Sequence, residues 1–324
     1  MTFNKTVMKT STILFLIFAS AALAIAQTAP AQPDIIKVDA NAGEGFAYPY
    51  YLHIPAALRE ARERGREQTF IVLPNNTGKI DDDLAVHEED VKKQIERSRI
   101  SASALGVVAL IPVFPRPSTD WKIYTHALDR DSMLTYKKEY ARFDLQLIAM
   151  IDDARERLAK EGLKMDKRVF IRGFSASGMF ANRFTFLHPE RVKAAVIGSP
   201  GGWPMAPVDS VDGKTLRYPI GTGDFKLVSG EKFDLKAVRK VPMFVFVGDQ
   251  DDNDSVIFGD GYDQEDTDLI FALFGKTPID RWEKIKKLYA DSKLNATFKL
   301  YPGIKHTVTM DMYNDLVAFL KPLK

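Results

Sequence analysis

Gly173-Phe174-Ser175-Ala176-Ser177-Gly178 follows the β-branched and aromatic run Val169-Phe170-Ile171 and precedes a helix-like stretch from Met179 to Leu187. A strand that turns into a helix over so few residues makes a strained corner. The positions two before and two after its apex have room for almost no side chain. With Ser175 at the apex those positions are Gly173 and Ser177, both small. With Ser177 at the apex the second position would be Met179, which does not fit. Ser175 is therefore the residue the corner presents to solvent.

This setting resembles the nucleophile elbow of the α/β-hydrolases. The match departs from Gly-x-Ser-x-Gly only in having Ser177 at the last small position. The resemblance implies an α/β-hydrolase fold, a mostly parallel central sheet with helices on both faces. It also implies the chain order serine, acid, histidine. A serine hydroxyl is a weak nucleophile and needs an adjacent base. Of the five histidines, only His188 and His306 follow Ser175. His188 directly precedes Pro189, with no acid-bearing strand between it and Ser175, and reads as an exposed helix-end residue. His306 follows the last expected strand and Pro302-Gly303-Ile304-Lys305, where the general base belongs. The acid should follow the strand Met243 to Val247, which runs into Gly248-Asp249-Gln250-Asp251-Asp252-Asn253-Asp254. A Gly-x-x-Asp pattern selects Asp251; Asp249, Asp252 and Asp254 remain competitors.

Acyl transfer also needs two backbone N–H donors for the oxyanion. One belongs to Ala176, after the serine. The other belongs to the loop Pro74-Asn75-Asn76-Thr77-Gly78, where Asn76 is the expected donor and Thr77 the next choice. Ser199 is excluded as nucleophile because Pro200 after it has no N–H to offer.

Apolar runs of strand length alternate with helix-period segments, as a parallel sheet covered on both faces requires. Tyr50 to Ile54 reads as an early edge strand. Phe70 to Leu73, Val107 to Ile111, Arg168 to Arg172, Ala194 to Ile197, Met243 to Val247 and Phe298 to Tyr301 follow. Helices are expected near 84–104, 137–163, 176–187, 279–290 and 308–320. Leu147, Ile148, Ile151, Ala154 and Leu158 share one face of the second, and Trp282, Ile285 and Tyr289 one face of the fourth. Residues 112–134 and 200–240 show no period and read as irregular insertions. Trp121, Tyr124, Trp203 and Phe225 within them suit either a pocket lining or local core.

The chain has 324 residues and no cysteine, so neither a disulfide nor a lipidated cysteine is possible. Lys5 and Lys9 precede an apolar run from Ile13 to Ala26 that ends in Ala24-Ile25-Ala26. That pattern reads as a signal peptide over residues 1–26, too short to span a bilayer. Residues 27–34 then form a flexible lead, and 35–324 a single domain. Without the leader the formal charge of +2 falls to zero, which gives no attraction for nucleic acid or anionic membrane. The expected location is secreted or periplasmic, with no stable membrane insertion after cleavage. The stretch from Asp249 to Asp268 holds nine carboxylates and no Lys or Arg. It reads as a solvated acidic loop, with Ca²⁺ binding as the alternative. Asp254 stands where an EF-hand would need glycine.

Within the superfamily, the stretch from Val169 through Gly-Phe-Ser-Ala-Ser-Gly to Asn182 and Phe184 resembles secreted polyhydroxybutyrate depolymerases and feruloyl esterases. The resemblance implies a Ser-His-Asp esterase without cofactor, acting on a small or polymeric ester. The fold hosts many chemistries, so the substrate stays open. A prolyl-oligopeptidase-like peptidase is the second reading, and a non-catalytic binding protein on the same scaffold is the third.

Overall fold

The computed structural model describes residues 1–2, 34–58, 65–76 and 78–324. The chain divides into two compact units, Met1–Gln32 and Pro33–Lys324. The expected leader lies outside the described residues except for Met1 and Thr2, and so does the lead up to Pro33.

The second unit is built on an eight-stranded sheet: β1 Asp34–Val38, β2 Tyr50–Ile54, β3 Phe70–Val72, β4 Val108–Pro112, β5 Val169–Phe174, β6 Val192–Gly198, β7 Met243–Gly248 and β8 Ala296–Tyr301. Its order is β1-β2-β4-β3-β5-β6-β7-β8. Only β2 runs antiparallel to its neighbours. It is not an edge strand as expected, because β1 pairs along its full length. The edge on that side is β1.

Six longer helices cover the sheet: α1 Leu84–Leu105, α2 Phe143–Lys160, α3 Ala176–Leu187, α4 Gln264–Phe274, α5 Pro278–Asp291 and α6 Met310–Leu320. Alternation along the strands divides the core between two faces. Val169 and Ile171 of β5 join the layer under α2 and α3. Phe170 joins Val91, Ile95, Met312 and Leu316 in the layer under α1 and α6. Burying each such side chain stabilises the fold by roughly 1.5–3 kcal/mol.

The expected helix over 137–163 starts six residues late. Arg142 takes a left-handed conformation (φ +53°) and pairs with Asp144, which breaks the chain between a 3-10 turn at Lys138–Tyr140 and α2. The 200–240 segment packs into the molecule. Trp203 stacks on Phe274 at 4.2 Å and donates its Nε1 to the Ile220 carbonyl at 2.9 Å. Trp203, Phe225 and Tyr124 are buried core; only Trp121 is exposed.

Candidate active site

β5 ends at Phe174 and α3 begins at Ala176, so Ser175 alone makes the corner. Its φ of +61° and ψ of −129° are strained for an L-residue. Two contacts explain the small neighbours. A Cβ on Gly173 would stand 1.8 Å from the Ser177 carbonyl oxygen, and one on Gly178 would stand 2.5 Å from that of Gly198. Ser177 at the last small position has its own use. Its Oγ donates to the Phe174 carbonyl at 2.8 Å and accepts from the Phe174 N–H at 2.9 Å, closing the corner from inside. Gly173→Ala is therefore expected to cost at least about 3 kcal/mol, read as a fall in the urea midpoint. An unchanged midpoint would contradict the contact.

The α3 N-terminus points its unpaired first-turn N–H groups, Ala176 among them, at the space beside Ser175. Asn76 reaches the same corner, its Nδ2 donating to the Phe174 carbonyl at 3.2 Å. Thr77 lies outside the described residues. Asn75, buried beside it, fixes the loop. Its Nδ2 donates to the Phe114 carbonyl and its Oδ1 accepts from the Phe114 N–H, both at 2.9 Å. His126 Nε2 lies 2.7 Å from the same carbonyl, and burial pushes that histidine's pKa down to about 3. Neither role had a local pattern in the sequence.

Asp251 and His306 face each other because the β7 and β8 ends are stitched together. Asp249 N–H donates to the Tyr301 carbonyl, Gln250 N–H to that of Ile304, each at 3.0 Å. Gly248 must lack a Cβ, which would stand 2.0 Å from the Ile304 carbonyl oxygen. His306 Nδ1 then lies 2.9 and 3.0 Å from the two Asp251 carboxylate oxygens. Burial pushes the Asp251 pKa up, but the His306 hydrogen bond and the neighbouring Ser199 hydroxyl outweigh it, and the carboxyl stays below its ordinary value. The ionised carboxylate accepts Nδ1–H, which leaves Nε2 as the lone-pair nitrogen. His306 packs 4.7 Å from the Phe174 ring. No hydrogen bond joins it to Ser175 among the described residues; such contacts often tighten only when substrate binds.

The competing acids are engaged elsewhere. Asp249 Oδ1 accepts from the Gly303 N–H at 2.7 Å, and Asp252 is exposed. Asp254 makes a buried two-pronged pair with Arg281 at 2.7 and 2.9 Å. The rest of the acidic stretch is not an open loop. It runs into the start of α4, and its carboxylates pair with cations distant in sequence: Asp260 with Arg116, Asp263 and Asp266 with Arg217. Among the described residues no three His, Cys, Asp or Glu side chains converge as metal ligands. His188 is not an exposed helix end. It is half-buried, with Nε2 2.8 Å from Asp144 Oδ2.

No protein-family model and no curated protein is significantly similar to the chain. Solved structures are. A poly(aspartic acid) hydrolase-1 from Sphingomonas sp. KT-1 superposes with a TM-score of 0.58 at 15% identity, covering 89% of this chain and 97% of the other. The poly(3-hydroxybutyrate) depolymerase LpqC from Bordetella parapertussis superposes with a TM-score of 0.53 at 16% identity, covering 85% of each. The fold is that of the α/β-hydrolases. Ser175 stands at the corner after β5, Asp251 in the loop after β7 and His306 in the loop before α6.

Proposed function

We propose that the chain is an exported serine hydrolase that cleaves carboxylic esters. The carrying observation is the Asp251–His306 pair at 2.9 Å, its ring packed on Phe174, the residue before a serine on a strained strand-to-helix corner. In this reading Ser175 Oγ attacks the acyl carbon and passes its proton to His306 Nε2. Asp251 holds the ring and stabilises the imidazolium. The N–H groups of Ala176 and Asn76 stabilise the tetrahedral oxyanion. His306 then protonates the leaving alkoxide, and water repeats the sequence on the acyl-enzyme. These steps need no cofactor.

The bond choice rests on chemistry and on the neighbours' activities. Of the two solved structures named above, the poly(3-hydroxybutyrate) depolymerase acts on a polyester, whereas poly(aspartic acid), the substrate of the other, is a polyamide. An aminopeptidase would need acids placed to hold a free amine. The only Glu-Glu pair, Glu88-Glu89, sits on α1, where Glu88 bonds Lys37 and Tyr51 and Glu89 bonds Lys92. Aryl or short-chain esters are expected to turn over at least about 10²-fold faster by kcat/KM than matched aminoacyl amides, about 2.7 kcal/mol in transition-state binding. An amide rate equal to or above the ester rate would promote the peptidase. Export follows from the apolar run and Ala24-Ile25-Ala26. An exported product starting near Gln27 by intact mass is expected, and an intact Met1 on a membrane-bound product would contradict it. No helix among the described residues is long and apolar enough to cross a membrane.

A further inference from the structure

Three basic residues of the irregular 112–134 segment are engaged within the protein. Arg116 is buried against Asp260 with its guanidinium 3.8 Å from the Tyr124 ring centre. Arg130 pairs with Asp224 at 2.7 Å. Lys122 lies over Trp121. A cation without an acidic partner among the described residues, and set within the fold, is Arg172, three residues before Ser175 on β5. Alternation puts it on the same face as Phe170, in the layer between the sheet and helices α1 and α6.

A charge in such a layer is normally paired with a carboxylate. Among the described residues none pairs with Arg172. Its Nη1 donates to Ser101 Oγ at 3.3 Å, and its guanidinium lies 5.9 Å from the Tyr313 ring centre. Burial lowers its pKa, with no carboxylate raising it again. The Tyr313 hydroxyl is buried beside it, with Ser101 as its polar neighbour. Both residues line a cleft of about 830 Å³ that also touches Lys93, Arg97, Asn76 and His306. Asp90 is the one carboxylate on the cleft wall, and Lys93 already pairs with it at 3.0 Å. Arg97 is exposed and has no ion pair among the described residues. The cleft thus joins a cation with no carboxylate partner, and a hydroxyl beside it, to the proposed base and oxyanion donor.

We propose that this cleft binds a carboxylate carried by the substrate, with Arg172 as its counter-ion and the Tyr313 hydroxyl as a further donor. The inference rests on the esterase reading above and names its substrate class: an ester whose acyl group bears a second, free acid. Along an extended strand three residues span roughly 10 Å, so the free acid stands several bonds from the scissile carbonyl. A neutral ester of equal length gains nothing from this cleft.

The test compares 4-nitrophenyl monoesters of dicarboxylic acids, from succinate to suberate, with methyl-ended esters of the same length. The wild-type protein is expected to favour the acid-bearing ester at least 10-fold in kcat/KM at the best length, mainly through KM. That preference should shrink as salt is raised from 50 to 500 mM. Arg172→Met is expected to lower the acid-ester rate at least 10-fold more than the neutral-ester rate, and Arg172→Lys to keep part of the preference. A wild-type preference near one at every length, or one that survives Arg172→Met, overturns the proposal. If Arg172→Met does not fold, the exposed double variant Lys93→Gln, Arg97→Gln is expected to lower the preference about threefold; no change counts against the cleft. Two readouts separate this inference from the esterase reading. Labelling of Ser175 by a neutral fluorophosphonate, with no acid preference, fails the cleft alone. Adipate raising the melting temperature of the wild type and not of Arg172→Met supports the cleft without any turnover, and an equal rise in both contradicts it.

Discussion

Ser175→Ala is expected to lower ester kcat by about 10⁶, the size of loss seen when a serine nucleophile is removed from a triad. The alanine cannot form the acyl-enzyme, and His306 and Asp251 have nothing left to activate. The fold should survive, because the Ser175 side chain caps no helix end and the corner is closed by Ser177. Circular dichroism and the urea midpoint check that. Turnover within tenfold of wild type would move the nucleophile elsewhere, with Ser177 the first suspect. Ser177 already accepts and donates within the corner, which makes it a poor nucleophile.

Asp251→Asn is expected to lower kcat by about 10⁴, since an amide cannot hold the imidazole in the required tautomer. Asp252→Asn should change kcat little, because Asp252 is exposed and bonded to no histidine. Asp254→Asn should show the opposite pattern to Asp251→Asn. It leaves Arg281 buried and half-paired, so it is expected to cost about 3–5 kcal/mol of stability. The measurement is kcat and the urea midpoint for all three variants side by side. Equal kcat losses in Asp251→Asn and Asp252→Asn would remove Asp251 from its proposed role. The Asp251 carboxyl sits below its ordinary pKa, so its ionised form persists through neutral pH and gives way only in acid.

The corner was legible because the hydrophobic period changes within six residues while side-chain size collapses. The central strands were legible for a related reason: buried on both faces, they read as unbroken apolar runs. β1 was missed because Asp34–Val38 is short and follows a Pro- and Ala-rich stretch. α4 was missed because Glu265 and Asp266 crowd its first turn, and a row of carboxylates looks like a solvated loop. Such acids are favoured at a helix N-terminus. The 200–240 segment follows no period because long-range bonds hold it, such as Thr222 N–H to the Val208 carbonyl and Tyr218 N–H to Asp224 Oδ1. The Gly-x-x-Asp spacing singled out Asp251, the acid of that loop that meets His306. Arg172 carried no signal, since a charge inside a strand run reads as an interruption until the sheet face it occupies is known.

The most direct test of the central claim is mass spectrometry after reaction with a fluorophosphonate. Trypsin cuts after Arg172 and Arg183, which isolates residues 173–183 with Ser175 and Ser177 as the only hydroxyl side chains. The account predicts a single stoichiometric adduct on Ser175, absent when the protein is first denatured. An adduct on Ser177 or on another peptide, or no adduct from protein that is folded, would contradict it.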